Sequence, residues 1–129
     1  MQRDNLAPKG VWDASRFHFS QAVRVREAKD LLMISGQVGI TEDFKVVEGI
    51  EAQARLALEN MRRIIIEAGG TMNNIIKLTA YFRDVSQLEA FEKVLTEFFK
   101  EGYPAQTALE IKALALPELL IEIEAIAAL

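Results

Sequence analysis

The chain has 129 residues, 50% of them hydrophobic and 26% charged, and a formal net charge of −4. That length fits one domain of about 100–150 residues around one core, and the apolar content is enough to offset chain entropy, which excludes a disordered chain. The absence of cysteine excludes a thiol nucleophile, a disulfide framework and a zinc-thiolate site, and one histidine, His18, leaves no pair to seed a metal site.

Residues 1–9 carry charges and a proline where a signal peptide needs an apolar run. No stretch approaches the roughly 20 apolar residues of a membrane span, so a cytoplasmic protein without membrane contact is expected. Residues 20–26 and 31–35 read as strands, expected to pair across the polar turn 27–30. From residue 50 to 68, Ile50, Ala54, Leu58, Met61, Ile65 and Ala68 recur at three- and four-residue spacing, the stripe of an amphipathic helix, and Gly69-Gly70 stops it. Residues 75–83 alternate, with Ile76, Leu78, Ala80 and Phe82 on one face and Ile75, Lys77, Thr79, Tyr81 and Arg83 on the other. A second helix opens at Ser86, with Glu89 completing a capping box, and carries Leu88, Phe91, Leu95 and Phe98 as its buried stripe. Gly102 and Pro104 stop it. Residues 107–112 and 119–127 read as the last strands, the latter with Leu119, Ile121, Ile123 and Ala125 facing one way and Glu122 and Glu124 the other.

This order gives an α+β fold in which two helices pack on one face of a mixed sheet. The other face keeps Ile75, Tyr81, Leu120 and Ile126, an apolar patch that water disfavours, so a homo-oligomer covering that face is expected.

Three groups of residues could carry chemistry. Glu122 and Glu124 share a strand face about 6.6 Å apart at roughly 3.3 Å rise per residue, where two carboxylates could divide acid and base roles or simply face solvent. Ser35-Gly36 ends a strand, where a hydroxyl and an unobstructed amide can approach a ligand; a strand that simply needs a glycine to turn explains the pair about as well. His18 lies among Phe17, Phe19, Arg16, Arg24, Arg26 and Lys29, a basic stretch that reads as an anion-binding edge or a solvated hairpin. Trp12, Phe17 and Phe19 could stack on bases. Against that, residues 64–129 hold five basic and ten acidic side chains, which removes the bulk attraction for nucleic acid.

The ordered strings Phe19-Ser20-Gln21-Ala22, Ile34-Ser35-Gly36-Gln37, Glu51-Ala52-Gln53-Ala54-Arg55, Leu58-Glu59-Asn60, Glu67-Ala68-Gly69, Ile76-Lys77-Leu78-Thr79, Phe98-Phe99, Tyr103-Pro104-Ala105 and Ile121 through Ala127 span nearly the whole chain after Phe17. Together they resemble the RidA family, also called YjgF-type or L-PSP endoribonuclease-like. The resemblance implies a chorismate-mutase-like subunit, residues 1–129 forming one domain, assembled as a homotrimer with small-molecule sites in three clefts between subunits. It implies hydrolysis of enamines and imines to a carbonyl and ammonia, with no metal and no cofactor. Carried over residue by residue, the catalytic glutamate falls on Glu122 and the ligand-facing serine and glycine on Ser35 and Gly36. The family's substrate-binding arginine falls on Gln106, its tyrosine on Phe19, and an asparagine of the second helix on Glu92. A neutral amide cannot fork onto a carboxylate as a guanidinium does, so a neutral or cationic ligand is expected, unless Arg16 or Arg24 replaces the lost charge. The alternatives to an imine deaminase are a non-catalytic sensor or interaction scaffold and, lacking any evident acid-base pair for phosphodiesters, an endoribonuclease.

Overall fold

A computed structural model describes residues 1–100 and 102–129. Its elements are β1 (Gln2–Leu6), β2 (Ala22–Arg26), β3 (Leu31–Gln37), α1 (Ile50–Glu67), β4 (Ile75–Phe82), α2 (Leu88–Phe98), β5 (Ala105–Glu110) and β6 (Ile121–Ala128). Four strands form a mixed sheet in the order β3-β6-β4-β5, in which β6 runs antiparallel to both neighbours and β5 parallel to β4 across the α2 crossover. The expected mixed sheet with two helices on one face is what the chain forms.

Alternation along β6 and β4 makes the core. Ile121, Ile123, Ala125 and Ala127 join Leu78, Ala80 and Phe82 under Ala54, Leu58, Met61 and Ile65 of α1 and Phe91, Val94 and Leu95 of α2. Phe82 and Phe91 meet edge to face at 5.5 Å between ring centroids, and full burial of one such ring is worth roughly 1.5–3 kcal/mol. On the opposite face Leu31 and Met33 are 62% and 64% exposed, beside Ile126, Lys77 and Thr79.

Several local expectations are corrected. β2 pairs with β1 in a separate two-stranded sheet rather than with β3; β1, Gln-Arg-Asp-Asn-Leu, lacks any apolar alternation that would announce a strand. It is held instead by polar ties: Arg3 donates to the carbonyls of Asn73 and Gly102, and Asn5 Nδ2 donates to the Tyr103 carbonyl at 3.0 Å and to Ser20 Oγ at 2.9 Å. Ile75, expected on the free face, is buried, because a bulge between Ile75 and Lys77 inserts one residue and reverses the alternation there. The second helix is entered through Asp84, whose Oδ1 accepts from the Ser86 amide at 3.0 Å and from Ser86 Oγ at 2.6 Å, so Ser86 is not the cap. A 3₁₀ turn, Val85–Gln87, precedes α2, and the helix ends at Phe98 ahead of Gly102, with Phe99 rather than Phe98 fully buried. β5 begins two residues earlier than expected, at Ala105, and β6 two residues later, at Ile121.

One buried polar side chain organises the loops. Gln53, 1% exposed in α1, donates from Nε2 to the Val47 and Glu118 carbonyls, both at 3.0 Å, and accepts at Oε1 from the Leu120 amide at 2.8 Å. The backbone beside Gln53 is so close that a Cβ on Gly39 would fall 2.6 Å from its Cα. Gln53 thus fixes the approach to β6 one residue before Ile121. Gln53→Leu removes the side-chain partner of three backbone groups, of which only those of Val47 and Leu120 are on half-buried residues, and is expected to lower stability by about 1–3 kcal/mol. Urea denaturation checks this; an unchanged midpoint would mean that the loops do not depend on Gln53.

Candidate functional site

Period two in β6 sends Glu122 and Glu124 out of the helix-covered face. They line a cavity of about 300 Å³ with Gly36, Tyr81, Ile111, Ala113 and Leu114. Between Ile34 and Gln37 the pairing of β3 with β6 slips: three steps along β3 match two along β6. Such bulges re-aim the chain locally, and this one contains Ser35 and Gly36. A Cβ at Gly36 would stand 2.2 Å from Glu122 Oε1, so any larger residue there would displace the Glu122 carboxylate. The missing side chain is the space the Glu122 carboxylate occupies.

The two carboxylates are not equivalent. Tyr81, opposite Glu122 in the β4–β6 register, donates its hydroxyl to Glu124 Oε1 at 2.8 Å. That hydrogen bond, followed by burial and the charges of Glu124 and Glu122, raises the phenol above its usual range and keeps it protonated. Glu124 is therefore engaged, whereas Glu122 has no hydrogen-bond or ion-pair partner among the described residues. Tyr81 was legible in the sequence only as part of an apolar face, and its hydroxyl gave no spacing signal toward Glu124.

Gln106 and Glu92 lie elsewhere in the chain's own fold. Gln106 pairs with Leu78 on β5, and its Oε1 is buried without a donor. Glu92 of α2 lines an open groove of about 710 Å³ with Arg16, Phe17, His18, Val85, Ser86, Leu88, Glu89, Lys93 and Thr96. Burial raises the Glu92 carboxyl, the charge of His18 opposes that rise, and Glu89 adds to it. Two ties bring this groove to β5: Ser20 bridges Ala105, and the Ser20 amide donates to the Pro104 carbonyl at 3.0 Å. His18 is left-handed, at φ 63°, with its ring 5.4 Å from that of Tyr103 and its Nδ1 buried without a partner.

The remaining expected residues separate from both groups. Phe19 packs edge-on against Trp12 at 5.6 Å and lines a groove of about 290 Å³ built from residues 5–8, 11–15 and 19–21. Ser35 is exposed on β3, and its carbonyl accepts from Gln37 Nε2 at 3.1 Å. Arg24 is committed to Asp4 at 2.9 Å in the small sheet, whereas Arg16 lies 5.5 Å over the Phe17 ring at the rim of the Glu92 groove. Of the two cations considered as substitutes for the arginine, Arg16 alone is placed near Glu92. Among the described residues no three histidine or carboxylate side chains converge to hold a metal ion, and no helix is long and apolar enough to cross a membrane.

A family model described as Endoribonuclease L-PSP matches residues 13–129. A RutC family protein of Pyrococcus horikoshii is 39% identical over 111 residues, covering 84% of this chain and 85% of that protein. The 2-iminobutanoate/2-iminopropanoate deaminase of Homo sapiens is 33% identical over 111 residues, covering 84% and 78%. Among solved structures, YyfB of Yersinia pestis, a protein of unknown function in the conserved Rid family, matches at a TM-score of 0.91 and 33% identity over 100% of both chains. RidA from the Antarctic bacterium Psychrobacter matches at 0.74 and 32%, covering 95% and 92%. The quoted strings, the two helices on a mixed sheet and these matches agree that the chain belongs to the RidA family, also called YjgF-type.

Proposed function

We propose that the protein binds a small molecule in clefts between the subunits of a homotrimer and hydrolyses a C=N bond there, with a substrate preference unlike that of imino-acid deaminases. The observation that carries this reading is the Glu122 carboxylate, unengaged and set over Gly36 in a small cavity beside the Tyr81–Glu124 pair. A carboxylate so placed can take a proton from water as its oxygen attacks the imine carbon. The resulting carbinolamine then loses ammonia, and a carbonyl remains: one water is consumed and one ammonia released. Tyr81, kept protonated, holds Glu124 aside and leaves Glu122 as the free base.

Assembly is part of the proposal, because one chain keeps Glu122 and Gly36 in a different region from Glu92. A neighbour packed on the exposed sheet face, with Leu31, Met33 and Ile126, would remove apolar surface from water and could bring the second group over the first. Gln106, standing where the resemblance places an arginine, supports the altered preference. A non-catalytic binder remains the second reading, favoured by the same glutamine.

Ammonia release from freshly generated 2-aminoacrylate and 2-iminobutyrate tests the chemistry. The wild type is expected to act weakly and Gln106→Arg to gain at least tenfold in kcat/KM, since a charge-assisted pair is worth about 1.5–3 kcal/mol. Glu122→Gln in that background should remove turnover, and Gly36→Ala should do so by displacing the carboxylate while the thermal midpoint moves little; activity surviving Glu122→Gln rules out the proposed base. Sedimentation checks the assembly: the wild type should be trimeric and Met33→Glu should shift it toward smaller species.

A further inference from the structure

The groove between Arg16 and His18 on one side and the start of α2 on the other has an imbalance that the proposed hydrolysis does not use. Glu92 enters it with no ion pair or hydrogen bond among the described residues. Among the described residues three buried side-chain polar atoms have no partner; one lines this groove and the other two lie on neighbouring segments without lining it. They are Nδ1 of His18, which lines the groove; Oε1 of Gln87, which sits between the lining residues Ser86 and Leu88; and Oε1 of Gln106, next to the Ala105 that bridges Ser20. Two are amide oxygens, which only accept, and an imidazole nitrogen accepts in one neutral tautomer. Buried polar groups are satisfied in nearly all cases, so the two amide oxygens call for donors, and His18 Nδ1 joins them when the imidazole is neutral with its proton on Nε2.

The charged groups around it point the same way. Glu89 stands one turn before Glu92 on α2 and adds a second carboxylate. Of the cations, Arg16 is turned onto the Phe17 ring and Lys93 lines the groove without pairing to either glutamate. Burial has made Glu92 costly to ionise, and a bound cation would relieve that cost. A flat guanidinium already lies on an aromatic face at the rim, the arrangement that favours planar cations over spherical ones.

We propose that this groove receives the cationic end of the ligand, a planar amidinium or guanidinium group, paired with Glu92 and donating a further hydrogen bond to His18 Nδ1. The inference rests on reading the groove as one wall of the ligand cleft, and it names the class of substrate that the loss of the arginine left unspecified: a C=N compound bearing positive rather than negative charge. It also gives His18 a part as an acceptor held in a left-handed turn, a conformation that is costly for a residue other than glycine and that the surrounding fold must maintain.

Acetamidinium and acetate, planar isosteres of opposite charge, test it. His18 is the only histidine, so its imidazole resonances report on the groove without ambiguity. Acetamidinium chloride is expected to shift them saturably, with sodium acetate and sodium chloride leaving them in place. Glu92→Gln should weaken acetamidinium binding at least tenfold with the fold intact by circular dichroism, and Gln106→Arg should abolish it and admit acetate. Binding should also weaken as the pH falls through the raised Glu92 range. Acetate binding to the wild type, no saturable shift with acetamidinium, or an unchanged affinity in Glu92→Gln would each overturn the assignment. Because binding is read separately from ammonia release, amidinium binding without turnover would sink the hydrolysis alone, and turnover of imino acids without amidinium binding would sink this inference alone.

Discussion

The alternation of β6 is the constraint on which the rest of the molecule depends. The strand is hydrogen-bonded on both edges, so its register is shared with β3 and β4, and a slip of one residue would put Glu122 and Glu124 into the core and Ile121 and Ile123 into water. Burying two unpaired carboxylates would cost far more than any alternative pairing could return. The same pattern that locks the sheet therefore locks the carboxylates onto the face away from the helices. Gln53 reinforces it from the helix side by holding the Leu120 amide, and Gly36 from the β3 side by leaving room for Glu122.

Where a segment's structure follows from apolar periodicity, it could be read from the sequence. Helix α1, the core faces of β4 and β6, and the layer order all follow from stripes and alternations that bury one face. Bulges and polar ties left no such mark. Ile75 is misread because the bulge depends on the partner strand, and β1 is invisible because Arg3 and Asn5 secure it through hydrogen bonds to residues about a hundred positions away. Asp84 displaced Ser86 as the cap because both residues carry oxygen acceptors within the same turn, and sequence alone cannot rank them.

The candidate site divides along the same line. Strand parity alone puts Glu122 and Glu124 together, but the difference between them is tertiary, because it depends on which one Tyr81 reaches across the sheet. The resemblance supplied Gln106 and Glu92 as positions, and the fold adds their surroundings: an orphaned amide oxygen, a half-buried carboxylate and a histidine that no motif singled out as a neighbour of either. Phe19 turned toward Trp12, which separates it from Glu92 although the two were expected around one ligand.

The polar clamp between the N-terminal strand and residues 102–105 also bears on the order in which the molecule comes together. β5 is a parallel edge strand reached through a crossover, and the contacts that tie Ser20 and Asn5 to Tyr103, just ahead of it, close loops of 83 and 98 residues. Contacts of that separation carry the greatest loop-closure entropy and tend to form after local ones. Residues 16–18, one wall of the groove beside His18, lie in the segment between β1 and β2 that this clamp holds, while the Glu122 cavity sits on the central strand. A molecule that joins that wall to α2 stabilises the docked segment by mass action, and the strands that carry the segment, β1 and β2, would show it as slower amide exchange.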